Sequence, residues 1–103
     1  MDHRTEFAAA PLGPEEARRF LELADRLFEK MIEQQRDKVL RLAREAVPKI
    51  SPEDVLNPHD FPQLAAHPGF EYEDGILAGL VAAQTAVRAE IKQSTRDPGA
   101  PAG

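Results

Sequence analysis

Two histidines and a group of carboxylates stand close together in the middle of this chain, and these residue types are the ones best able to do chemistry. His59, Asp60, His67 and Glu71 fall in the segment SPEDVLNPHDFPQLAAHPGFEYEDG, residues 51–75, with Glu73 and Asp74 just after them. Imidazole and carboxylate together can hold Zn, Mn or Fe. The four are therefore the candidate ligands of a divalent metal, the one cofactor the residues suggest. Their spacing fits no recurrent ligand pattern, since seven residues separate His59 from His67. No Glu-x-x-His occurs in the chain, so the di-iron signature of helical bundles is missing. The Asp-x-Asp-x-Asp-Gly calcium loop is missing as well. The competing reading is structural: Asp60 caps a turn, Glu71–Asp74 serve a helix start, and both histidines lie at or near the surface.

Other chemistries find less to work with. The chain has no cysteine, which excludes disulfides, thiolate metal sites and cysteine nucleophiles. Serine occurs only at 51 and 94, one a helix cap and the other near the C-terminal end, so a serine triad is not expected. General acid–base catalysis needs a carboxylate or histidine in a water-poor cleft, and a two-helix chain offers little pocket. No glycine-rich phosphate loop follows a strand, and no strand pattern is present. No catalytic residue is assigned.

The charge balance points the same way. The 103 residues carry 13 Lys and Arg against 18 Asp and Glu, a formal charge of −5. That weighs against general nucleic-acid binding. The one basic cluster, Lys38, Arg41, Arg44 and Lys49, precedes an acidic stretch, and no Lys or Arg falls between Lys49 and Arg88. These cations are expected to complement a helix C-terminus and the acidic connector rather than phosphate. With 42% apolar and 30% charged residues the chain reads as a small globular domain. The first residues hold no apolar run of signal-peptide length. The longest apolar run, counting glycine, is Gly75–Ala83, nine residues against the ~20 of a membrane span. A soluble, cytoplasmic protein with no membrane partner is expected.

Two long helices must position everything else. Gly13-Pro14 followed by Glu15 and Glu16 marks the first helix start. Apolar residues recur at Ala17, Phe20, Leu21, Ala24, Leu27, Phe28, Met31 and Ile32, and again at Val39, Leu42, Ala43, Ala46 and Val47. Glu33–Lys38 interrupts them with six polar residues, among which Gln35 lies on the stripe. Pro48 ends the helix, leaving ~33 residues and ~50 Å, with a kink near 33–38 as the alternative. Arg18–Glu22, Glu22–Arg26, Asp37–Arg41, Arg41–Glu45 and Glu45–Lys49 stand at i,i+4 along its exposed face.

The connector is expected to be ordered. Ser51-Pro52-Glu53-Asp54 has the form of a capped helix start, and Asn57-Pro58-His59-Asp60 repeats it. His67-Pro68-Gly69-Phe70 suits a type II turn. Val55, Leu56, Phe61, Leu64 and Phe70 are its expected anchors. Phe61, Phe70 and Tyr72 could alternatively greet a protein partner.

The second helix is expected from about Glu71–Asp74 to about Gln93. Gly75, Ala78, Gly79, Ala82, Ala83, Ala86 and Ala89 give it a stripe of small residues, beside the larger Leu77, Leu80, Val87 and Ile91, with Gln84 among them. A helix apolar almost all round wants burial on most sides. One neighbouring helix and a connector supply too little cover, which predicts a second copy of the chain and a four-helix bundle. The expected contact residues are Leu77, Gly79, Leu80, Ala82, Ala83, Gln84, Val87 and Ile91.

The expected organisation is an all-α hairpin over 13–93, paired as a homodimer or higher oligomer, between mobile tails at 1–12 and 94–103. The function that follows is non-enzymatic: self-association in an interaction or assembly role, with a further protein partner conceivable. The alternative is a helical oligomer that binds a metal or small ligand through the acidic connector.

Overall fold

A computed structural model of the protein describes residues 13–96. The segments 1–12 and 97–103, read above as tails, lie outside the described residues.

Helix α1 spans Pro14–Ala46, 33 residues without interruption, so Glu33–Lys38 does not break it. Proline at the first position needs no N–H partner, and the Gly13 N–H donates to Glu16 Oε1 at 3.1 Å. The Val47 N–H donates to the Ala43 carbonyl at 2.8 Å, and Pro48 bars continuation.

The connector is a chain of short turns, each opened by a proline: α2 over Pro52–Val55, a 3-10 turn over Pro58–Asp60, and α3 over Pro62–Ala65. Ser51 and Asp54 cap α2 reciprocally. The Asp54 N–H donates to Ser51 Oγ at 3.1 Å, and the Ser51 N–H donates to Asp54 Oδ2 at 3.2 Å. Asn57 makes no equivalent bond, so the second expected cap does not form; its element closes instead through the Asp60 N–H on the Asn57 carbonyl.

Helix α4 spans Pro68–Arg96. It begins earlier than the acids at 71–74 suggested and reaches three residues into the segment read as a tail. His67-Pro68-Gly69-Phe70 is therefore no type II turn but a helix start. His67 is the cap: its Nδ1 accepts the Phe70 N–H at 3.1 Å. A Cβ at Gly69 would lie 3.0 Å from His67 Cε1, so glycine leaves room for the capping ring.

The core is formed where the connector closes over the C-terminal half of α1 and the start of α4. Val39, Ala43, Ile50, Leu64 and Phe70 are buried, with Leu40, Leu42, Ala46, Val47, Val55, Phe61 and Leu77 packed around them. The expected anchors hold except Leu56, which is 79% exposed. Burying a Leu- or Phe-sized side chain contributes about 1.5–3 kcal/mol, so this cluster fixes the connector to both long helices.

Across the hairpin, polar side chains set the register. Gln84 Nε2 donates to Glu29 Oε1 at 2.8 Å. Arg88 donates to Asp25 at 2.7 Å and to Glu29 at 3.1 Å. Lys38 Nζ lies 3.3 Å from Glu73. None of the five expected i,i+4 ion pairs on α1 closes among the described residues. Two of the named side chains take other partners instead: Glu45 turns to His67 on the connector, and Arg18 to Glu15 one turn back.

Candidate functional site

The proposed metal set is not gathered. Among the described residues, no group of three or more His, Asp or Glu side chains is placed to hold a metal ion. The cause at His67 is plain. Its Nδ1 is occupied by the Phe70 N–H, so the neutral ring carries its proton on Nε2, which donates to Glu45 Oε1 at 3.1 Å. Both ring nitrogens serve the fold. His59 and Asp60 are exposed on the 3-10 turn, and Glu71 is exposed on the first turn of α4.

The eight residues expected at an oligomer contact divide into groups. Leu77 packs against the core, and Gln84 is buried against Glu29 in the same chain. Ile91 follows on the same line of α4 and is half-buried, as are Leu80, Ala83 and Val87. Gly79 and Ala82 are exposed. The aromatic trio divides too: Phe70 is buried, Phe61 is half-buried against the core, and Tyr72 is exposed. Of the basic cluster, Lys38 meets Glu73, and Arg44 Nε donates to the Ile50 carbonyl at 3.2 Å.

Two antiparallel helices have two open sides, and here they differ in chemistry. On α1, Asp25 and Glu29 flank the inward line of Leu21, Phe28 and Ile32 on one side, and Phe20, Leu27 and Met31 flank it on the other. On α4, Arg88 and Val81 flank the line of Leu77, Gln84 and Ile91 on one side, and Ile76, Leu80, Ala83 and Val87 on the other. Arg88 meets Asp25 and Glu29, so those flanks share one side, which is polar. The remaining flanks therefore share the opposite side, which is apolar. It exposes Phe20 at 62%, Leu27 at 52%, and Leu23 and Met31 at 47% each, with Ile76 on α4. The stripe of small residues lies on the outward back of α4. There a Cβ at Gly75 or Gly79 would meet nothing within 4 Å, so no close approach inside the chain explains either glycine.

The polar side carries a second feature that the sequence did not announce. Where the connector leans on the helices, a cleft of about 410 Å³ opens between α1, α2 and α4. Val39, Leu40, Val55 and Leu77 supply apolar walls, and Arg36, Asp37 and Asp74 supply charge. Two adjacent carboxylates on α4 are shifted in opposite directions. The Gln35 hydrogen bond, with help from Lys38, holds Glu73 below the usual carboxylate range. Burial pushes Asp74 up.

No helix among the described residues is long and apolar enough to cross a membrane. No family model matches the chain, and no curated protein or solved structure matches it.

Proposed function

We propose that the chain works as a self-associating helical assembly protein, two hairpins packing through their apolar sides into a four-helix bundle. The observation that carries the reading is the line of Phe20, Leu23, Leu27 and Met31. These four large apolar side chains, about half exposed or more, run along one edge of α1. Contiguous exposed apolar surface of this kind marks an interaction site rather than ordinary surface. A second copy is the occupant that fits. The side joins large side chains on α1 to the smaller Ile76, Ala83 and Val87 on α4, and both kinds lie on one chain. A two-fold arrangement places each kind against the other. Gly79, between this side and the outward back of α4, leaves room for a second backbone there. In this reading the two copies share the half-buried Leu80, Ala83 and Val87, while Leu77, Gln84 and Ile91 serve the hairpin itself.

Sedimentation velocity over a dilution series tests the proposal. The expected species has twice the 11.4 kDa chain mass. Leu27→Glu with Ile76→Glu should halve it with helicity retained, and Val81→Glu on the polar side should leave it unchanged. A wild-type monomer at high concentration, or a dimer indifferent to Leu27→Glu and Ile76→Glu, overturns it.

A further inference from the structure

The cleft beside the connector lies on the other side of the hairpin from the proposed dimer contact, so it is a separate question. Its volume of about 410 Å³ lies in the ~300–1,000 Å³ range of small-molecule sites. Its composition is also that of a site: mostly apolar walls and a few charged groups. Among the described residues, no side-chain hydrogen bond or ion pair engages Arg36, Asp37 or Asp74. Leu56, 79% exposed, stands at the rim as an apolar side chain with no covering in the fold.

The charges select the ligand. Two carboxylates face the cleft against one guanidinium, so the lining is net negative. Arg36 and Asp37 are exposed at the mouth, whereas Asp74 is half-buried inside. The innermost charged group is therefore an acceptor without a donor. A half-buried carboxylate is best satisfied by a charged donor, and the apolar walls beside it favour a donor that carries its own apolar body. We infer that the cleft binds a small amphiphilic amine, its ammonium on Asp74 and its hydrocarbon against Val39, Leu40, Val55 and Leu77, with Leu56 closing over the exposed end.

The test is titration of the full, isotope-labelled chain with phenethylammonium, 2-phenylethanol and 3-phenylpropanoate, followed by amide shifts. Phenethylammonium should move the amides of Val39, Leu40, Val55 and Leu77. It should bind at least about tenfold more tightly than the alcohol, the scale of one charge-assisted hydrogen bond. The carboxylate should be weakest. Asp74→Asn should level amine and alcohol, and Val55→Phe should weaken both by filling the cleft. Equal binding of all three, tighter carboxylate binding through Arg36, shifts confined to Phe20 and Leu27, or no shifts from any probe each overturn the inference. If Asp74→Asn disturbs the fold, the wild-type ranking of the three probes decides alone.

Discussion

Gln35 and Glu73 are joined twice across the hairpin: Gln35 Nε2 donates both to the Glu73 main-chain carbonyl and to Glu73 Oε1, each at 2.8 Å. One amide thus ties a side chain of α1 to the backbone of α4, so a slip of either helix breaks both bonds at once. Gln35→Leu should lower the urea midpoint by roughly half a molar with the slope unchanged. Gln35→Glu should lower it further, because it sets like charges together, and the extra loss should shrink in high salt. Equal midpoints for wild type and both variants would deny the tie any role.

The adjacent acids predict opposed pH effects. Glu73 has its folded-state value lowered, so its contribution is present above the ordinary glutamate range and is lost as pH falls through the lowered value. Asp74 has its value raised by burial, so its contribution is present at acid pH and is lost as pH rises through the raised value. Asp74→Asn should therefore stabilise the chain at neutral pH and lose that gain under acid. Urea melts between about pH 3 and 7, which span the carboxylate range, check the crossover; a constant difference at every pH refutes it.

His67 is both a helix cap and a bridge to α1. His67→Ala should cost about 1 kcal/mol, the usual scale for loss of an N-terminal cap. His67→Asn restores a capping acceptor and should recover most of the loss, although it gives up the bond to Glu45. Thermal melts of the two variants distinguish capping from bulk: if Asn and Ala are equally destabilising, the cap is not what holds the start of α4.

Leu64 has no exposed surface and sits with Ile50 and Phe70 at the heart of the connector. Leu64→Ala should cost about 2–5 kcal/mol through lost burial and the cavity left behind. Hydrogen exchange should then rise first in residues 50–70, ahead of the N-terminal half of α1. Uniform loss of protection over the whole hairpin would show that the connector is not a separate layer of stability.

Both long helices were legible from their apolar spacing, and the limits of α1 also have local causes. Pro14 and Pro48 bracket α1, and the apolar spacing between them needs no tertiary information. Gln35 and Gln84 stood out as polar positions on apolar lines, but their acceptors, Glu73 and Glu29, depend on the antiparallel register, which no local pattern encodes. The start of α4 was misplaced because histidine is not a usual capping residue and Pro-Gly also fits a turn; only the ring bound to the Phe70 N–H decides between them. The excess apolar surface was foreseen but assigned to α4. The helix-one stripe is too wide for one neighbour, and its outer edge, Phe20, Leu27 and Met31, is what the hairpin leaves open. The cleft was invisible because its walls come from three separated segments.

Among the described residues, the five helical elements each begin with a proline: Pro14, Pro52, Pro58, Pro62 and Pro68. The ring at a first helical position cannot sit in a helix interior, and it pushes the preceding residue out of the α region. Helix α4 therefore cannot grow backward, and α1 cannot run forward past Pro48. One hazard of a helical hairpin is that it straightens into one rod and trades halves with a neighbour. In this chain the prolines oppose that rod at every junction, which favours intact hairpins, side against side, in the dimer proposed above.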